Sequence, residues 1–207
     1  ALDIDILQTK NSFLKFTSNG GVDYLSNTSL VYFPEILQHQ RAQANPGDAV
    51  WADQNSFNTN LQGFLVFNTN VGNVNLNTQV GGVRLDQDAE SLLTRGRGLS
   101  SGQTNLRWAT VQSVLDQELE TVTDVGWVAQ QEVNWDHKVI GTLGVRFDRS
   151  TLNADQDRYY AFPKASLAVN LANFDFWNVN SVNLLKARVA YGETGGLPLF
   201  GNTFESL

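Results

Sequence analysis

The sequence predicts an all-β protein, a portion of an antiparallel transmembrane β-barrel of about eight strands, with long extracellular loops and short periplasmic turns. Three observations carry this. Apolar residues recur at every second position over long spans. The charges of those spans fall on the alternate positions, and the connections alternate between tight and long.

The elements follow in chain order. The opening "ALDIDIL" alternates as a strand. In "SFLKFTSNGGVDY", Leu14, Phe16, Val22 and Tyr24 share one face, with Lys15 and Asp23 opposite. "TNLQGFLVFNT" and "VNLNTQVGGVRL" flank a turn at 70–73 and set Leu61, Leu65 and Phe67 against Leu76 and Val80. From 115 onward, Leu115, Leu119, Val125, Trp127, Ala129 and Val133 are odd, while Asp116, Glu118, Glu120, Asp124 and Glu132 are even. For 105–117, "NLRWATVQSVLDQ" holds enough helix formers to leave a helix open as the alternative. "KVIGTLGVRFD" sets Val139, Gly141, Leu143, Val145 and Phe147 against Lys138, Thr142, Arg146 and Asp148. A turn at Trp135, Asp136 and His137 joins it to the preceding strand. Pairing Val133 with Val139, Ala129 with Leu143 and Trp127 with Val145 makes the apolar faces coincide. "RYYAFPKASLAVNL" puts Tyr159, Ala161, Ala165, Leu167 and Val169 opposite Arg158, Lys164 and Asn170. "LLKARVAYGETGG" puts Leu185, Ala187, Val189 and Tyr191 opposite Lys186 and Arg188. Tight turns are expected near 9–11, 70–73 and 135–137, and long polar loops over 25–56 and 86–112.

Composition narrows the classes. The chain carries 14 basic and 21 acidic residues, net −7, which argues against a nucleic-acid binder. With no cysteine, disulfides, thiolate zinc sites and cysteine nucleophiles are excluded. No run reaches the ~18 apolar residues of a membrane-spanning helix, but alternating barrel strands average to a polar score anyway. Abundant asparagine suits a loop-rich β protein. In the strands from 115 to 191 the charges keep to the even face. A soluble β-sandwich or a standalone small barrel, acting as a binding or structural module, shows alternation too. The strand length favours the membrane, because the spans exceed the roughly 5 or 6 residues of soluble strands and match the ~9 to 11 of a tilted crossing.

No enzyme is expected, since no Ser/His/Asp set converges on one strand end. His39 and His137 stand alone in polar segments, so no metal or catalytic role is assigned to them. "LDQDAE" and "NADQD" have Asp-x-Asp spacing but lack the glycine and terminal glutamate of a calcium loop, so calcium is a weak reading and no cofactor is expected. "RGRGLSSG" and "GETGG" do not follow a strand and open a helix as a phosphate loop must. Tyr32, Phe33, Trp51 and Trp108 fall in the expected long loops, where they could stack on a substrate or simply pack the loop. Trp127, Trp135, Tyr159, Tyr160 and Tyr191 lie near strand ends, where outward-facing rings suit an interfacial girdle. Pro163 sits awkwardly inside a strand, having no N–H for the ladder.

Three motifs, in order, resemble successive barrel strands of TonB-dependent outer-membrane receptors of the SusC/RagA type. The first is Arg146, Asp148 and Ser150. The second is Tyr160, Phe162, Pro163 and Ser166, with Ala161 inserted. The third is Leu185, Lys186, Arg188, Tyr191, Gly192, Thr194 and Gly195. "GLPLFGNTFESL" and "FLKFTSNGGVDY" are similar to other stretches of the family. The resemblance implies the bacterial outer membrane, uptake of oligosaccharides or peptides, a SusD-like surface lipoprotein and energy from the TonB complex. It also implies a 22-stranded barrel closed by a plug. Neither the plug nor the TonB-contact region falls within 1–207, so the whole chain reads as an internal part of one β-barrel domain. On this reading the odd face of the later strands meets lipid. Asp116, Glu118, Glu120, Asp124, Arg146, Lys164, Lys186 and Arg188 face the lumen.

Overall fold

The computed structural model describes residues 1–100, 102–178 and 181–196. Eight strands lie in one sheet in chain order: β1 (Leu2–Gln8), β2 (Ser12–Phe33), β3 (Asp48–Val71), β4 (Val74–Arg97), β5 (Val111–Trp135), β6 (Val139–Ser150), β7 (Tyr160–Asn170) and β8 (Lys186–Gly192). A meander of this kind needs only chain-local connections, which is what alternating strands separated by turns dictate. The described helices are short: α1 (Gln38–Arg41) and 3-10 turns at Leu106–Trp108 and Leu171–Asn173. The tail "LPLFGNTFESL", similar in sequence to the receptors, lies outside the described residues. Residues divide into two units, Ala1–Gly21, Asn60–Leu85 and Val122–Leu207 in one, Val22–Thr59 and Asp86–Thr121 in the other.

In the first unit, side-chain chemistry sets the pairing. Ile4 lies opposite Phe16, and a β-bulge between Asp5 and Leu7 brings Leu7 opposite Leu14, so apolar meets apolar on both sides of the irregularity. Between β5 and β6, Trp135 pairs with Val139, Val133 with Gly141, Ala129 with Val145 and Trp127 with Phe147. This register is two residues away from the expected one. The reason is the turn: Asp136 and His137 both take positive φ, 50° and 54°, and the Lys138 N–H closes on the Trp135 carbonyl at 2.8 Å. The hairpin is therefore tighter than the sequence reading allowed. An even shift leaves every side chain on its expected face.

Pro163 also finds its reason. It lies opposite Val145, and its carbonyl accepts from the Glu193 N–H at 3.0 Å, on the β8 side. In an antiparallel ladder the N–H and C=O of one residue point to the same neighbour. The missing N–H thus faces β8 where that ladder ends, at Lys164 opposite Gly192.

One end of this unit is stitched turn to turn. The Asn70 N–H donates to the Asn11 carbonyl, Asp136 to Asn73, and Asn170 to Lys138, at 2.8, 2.9 and 2.8 Å. The β7–β8 connection, 171–185, leaves from this same end. It departs from the short turns expected there.

In the second unit the expected loops shrink. β2 continues to Phe33, β3 starts at Asp48, β4 reaches Arg97 and β5 starts at Val111, leaving loops of 34–47 and 98–110. The added strand residues mix polar and apolar side chains on both faces, as in "LSNTSLVYF" and "DQNSFNTN", so no period-two signal marks them; backbone pairing carried on from the hairpins holds them. Many asparagines therefore stand in strands and not in loops. Of the helix left open over 105–117, one 3-10 turn forms, capped by Asn105 Oδ1 accepting from the Arg107 N–H at 3.0 Å, and the rest from Val111 is strand.

The two loops of this unit are locked together around a charge pair. Asp48, 3% exposed, accepts from Arg95 Nε at 2.9 Å and also from Arg95 Nη2. Gly47 takes φ +86°, its N–H donates to Gln40 Oε1 at 3.3 Å, and its carbonyl accepts from the Leu99 N–H at 3.2 Å. A Cβ at Gly47 would stand 2.1 Å from the Leu99 carbonyl oxygen, so no other residue fits. Ala49 and Leu99 are buried here.

Candidate functional site

The candidate site of this chain is an apolar sheet face left bare. Among the described residues only Ala49, Leu99 and Val122 are buried hydrophobics. The chain exposes 14257 Å², where a folded 22.9 kDa monomer would expose roughly 9,600 Å². Among the exposed residues are the apolar ones that the alternation picks out. Leu143 is 67% exposed, Val189 66% and Leu119 63%, and Leu61, Val80, Trp127 and Leu167 are exposed with them. Water would leave such a face uncovered only at a large cost, so it requires an apolar neighbour.

Its dimensions suit a bilayer. On β5, Trp127 and Trp135 stand about 27 Å apart along the strand, which at the ~40° tilt of barrel strands is roughly 20 Å of height, within the ~25 Å apolar band between two aromatic girdles. Gly82 lets the Trp127 ring lie against β4, since a Cβ there would meet the ring at 3.0 Å.

Gln131, midway between Trp127 and Trp135 on this face, is satisfied in place. Gln131 Oε1 accepts from Thr78 Oγ1 at 2.5 Å, and Gln131 Nε2 donates to the Glu132 carbonyl at 2.9 Å. A polar group facing hydrocarbon must find its partners within the protein. Thr78→Val is expected to cost about 1 to 3 kcal/mol by orphaning that oxygen, and Thr78→Val with Gln131→Leu to be close to neutral. Equilibrium unfolding of both variants in lipid vesicles checks this.

Arg149 departs from the segregation expected. It lies opposite Val125, on the parity of Phe147, one residue before the end of β6. Its guanidinium sits 5.5 Å from the Tyr159 ring centre and 3.5 Å from Asp157 Oδ1. That position, past the apolar span, is where an arginine can keep its charge in water while its stem lies on apolar surface.

The opposite face is polar. Asn68 and Asn75 exchange two side-chain hydrogen bonds, 3.2 and 2.9 Å, and Asn75 adds a third to Asn70 at 2.8 Å. Arg146 Nε donates to Asp148 Oδ1 at 2.7 Å, and Gly126 makes room, because a Cβ there would stand 2.6 Å from that oxygen. Lys164 lies over Gly144, whose Cβ would meet its Cε at 2.8 Å. Arg188 pairs across from Ala168 and Lys186 from Asn170. A cavity of about 710 Å³ opens within this unit, lined by Val83, Asp124, Arg146, Asp148, Tyr160 and Phe162 among others. Asp124 lines this cavity, and its Oδ1 is buried without a hydrogen-bond partner.

The remaining candidates are distributed through the second unit. Asp116 and Glu118 on β5 are exposed and Glu120 half-buried. Tyr32 and Phe33 end β2, and Trp51 lies within β3, so none of these three is a loop residue as expected. Tyr32 Oη accepts from the Gly102 N–H at 3.2 Å, and Phe33 meets the His39 ring edge-on at 5.7 Å. Trp51 Nε1 donates to the Thr104 carbonyl at 3.1 Å and is on the parity opposite to Asp48. Trp108 is 64% exposed beside the Arg107 guanidinium. Tyr32 and Trp51 each bind the 98–110 loop, and Phe33 contacts His39 of the other loop.

Among the described residues no three histidines or carboxylates come together as a metal set. "LDQDAE" is extended within β4, and in "NADQD" the Asp157 N–H donates to Asp155 Oδ1 at 3.2 Å.

In fold the chain is similar to the RagAB peptide transporter, with a TM-score of 0.77 at 14% identity over 91% of this chain. It is similar in the same way to the RagAB peptide importer in its "closed-closed" and "open-open" states, with TM-scores of 0.72 and 0.66, each at 14% identity over 91% of this chain. The chain spans 21% of the length of each of those chains. No protein-family model and no curated protein sequence matches it. What the likeness shows is the fold, an antiparallel all-β sheet of the kind found in that transporter's barrel.

Proposed function

We propose that this chain forms part of the membrane wall of an outer-membrane, TonB-dependent importer of peptides or oligosaccharides. The observation that carries the reading is the exposed odd face of β5–β8, apolar over the span from Trp127 to Trp135 and backed by a polar face bearing Arg146, Lys164, Lys186 and Arg188. In a bilayer every backbone group needs an internal partner, so a spanning sheet must close. Here β1 and β8 stand at the two ends of the strand order. That favours a wall completed by further strands over a standalone eight-stranded barrel. The fold likeness to a peptide transporter supports peptide as the cargo class, and the sequence motifs support both TonB dependence and a SusD-like lipoprotein lid on the outer surface. On this reading the wall performs no chemistry on its cargo, needs no cofactor, and its lumen face guides a hydrated solute.

Uptake by cells tests this. Cells carrying the protein should accumulate labelled oligopeptides beyond the external concentration, and a protonophore should abolish the accumulation. Accumulation unchanged by deleting the gene, for both oligopeptides and oligosaccharides, would contradict the proposal.

A further inference from the structure

The described parts of the β7–β8 connection, 171–178 and 181–185, lie at the tight-turn end of the first unit, and their sequence does not look like a spacer. Phe176 is 66% exposed, Leu184 67%, Leu185 42% and Val182 38%. The segment is nonetheless fixed. Phe174 packs edge-on against Trp135 at 6.3 Å and stacks with Phe176 at 5.5 Å. Asn173 Nδ2 donates to the His137 carbonyl at 3.1 Å. Lys138 Nζ sits 6.0 Å from the Phe174 ring centre, 3.1 Å from Asp136 and 3.9 Å from Asp175. Trp177 Nε1 donates to the Val182 carbonyl at 3.0 Å, closing the segment on itself.

These contacts tie an apolar connection to the end of the β5–β6 hairpin, next to Trp135. Trp135 is 46% exposed and shares its face with Trp127 and Phe147. The aromatic cluster thus continues the bare apolar face. An exposed apolar segment is poorly suited to water, while aromatic rings with a lysine beside them match the headgroup layer of a membrane.

We infer that residues 174–177 and 182–185 form an interfacial anchor, seated in the headgroup layer of the phospholipid leaflet at the tight-turn end. The inference rests on the membrane reading of the sheet face and extends it to a surface outside the strands. The anchor adds apolar contact at the height where the β5–β6 hairpin ends and holds the wall at a fixed depth. Lys138, tied between two carboxylates and a ring, sets the orientation of the loop.

The absence of cysteine permits a direct test, with single cysteines carrying a bimane fluorophore in the protein reconstituted into phosphatidylcholine–phosphatidylglycerol vesicles. Phe176→Cys and Leu184→Cys report the loop, Leu143→Cys the middle of the sheet face, and Asp157→Cys, whose side chain is 98% exposed, the water. The expected result is strong quenching of Phe176→Cys and Leu184→Cys by headgroup-labelled lipid and weak quenching by aqueous iodide. Leu143→Cys should respond to a label deep in the acyl chain. If both loop positions answer to iodide alone while Leu143→Cys answers to lipid, the anchor is wrong and the spanning wall stands. If Leu143→Cys also answers only to iodide, the membrane reading fails and the anchor falls with it. Using two loop positions keeps the test decisive should one variant fail to assemble.

Discussion

Leu143→Arg is expected to prevent assembly into the membrane, whereas Lys164→Leu on the neighbouring strand is expected to assemble normally. Leu143 is 67% exposed, at the middle of β6, opposite Gln131 on β5 and Ala165 on β7. An arginine on the lipid side near the midplane costs roughly 2 to 4 kcal/mol, a large part of the ~5 to 15 kcal/mol by which folded proteins are stable. Gln131, opposite on β5, has its side-chain oxygen already engaged by Thr78, and Gly141 and Val145 beside it on β6 offer the guanidinium no acceptor side chain. Lys164 lies on the other face over Gly144, where leucine loses a hydrated charge and no partner that folding depends on. The folded fraction, read by the resistance of the barrel to detergent before heating, should collapse for Leu143→Arg. For Lys164→Leu it should stay near the parent value. In a soluble sandwich whose apolar face is a core, the same pair would differ as well, but the protein would then unfold in water and not fail at the membrane.

The second large effect belongs to the Asp48–Arg95 pair. Arg95→Met is expected to destabilise the second unit by about 3 kcal/mol, the lower end for a broken buried pair, because the Arg95 side chain is 34% exposed. The Asp48 side chain, 4% exposed, would then hold a carboxylate with no cation beside it. Adding Asp48→Leu should recover most of the loss, since an apolar pair of similar volume asks for no solvation. The hydrogen bond to Asp48, and then its charge, hold the Arg95 guanidinium above its ordinary value. For a cation whose folded value is raised, the stabilisation is complete below the ordinary value and is lost only as pH rises past it. The pair therefore contributes fully at neutral and mildly alkaline pH. Limited proteolysis within 34–47 and 98–110 reads the effect: faster cleavage in Arg95→Met, near-parent cleavage in the double variant.

The faces of the strands were legible because a sheet with one apolar and one polar face imposes the simplest of rules. Leu143, Trp127 and Val189 had to be apolar, and Arg146 and Lys186 had to stand opposite, so period two survives in the sequence. The register of the β5–β6 hairpin was not legible, because it turns on positive φ at Asp136 and His137, two residues that carry no such mark as strongly as glycine does. The outer halves of β2–β5 were read as loops because neither of their faces is uniformly apolar, and pairing there rests on backbone hydrogen bonds common to every sequence. Asp48 and Arg95 lie far apart in sequence, and nothing local joins them. The same holds for Gln131 and Thr78, which sequence reading passed over as a lone polar residue on an apolar face. For Trp51 and Tyr32 the sequence leaves substrate stacking and loop packing both open; in the structure their hydrogen bonds to Thr104 and Gly102 tie the loop at 98–110 to strands β3 and β2.

The central claim is that the bare face of β5–β8 meets lipid. Photo-crosslinking tests it most directly, with a diazirine side chain placed at Leu143 or Val189 on one face and at Lys164 or Arg188 on the other, in native outer membranes. Lipid adducts by mass spectrometry at Leu143 and Val189, and none at Lys164 and Arg188, are the expected result. Adducts to protein segments at Leu143 and Val189, with no lipid attached, would show that the face is a core and contradict the account.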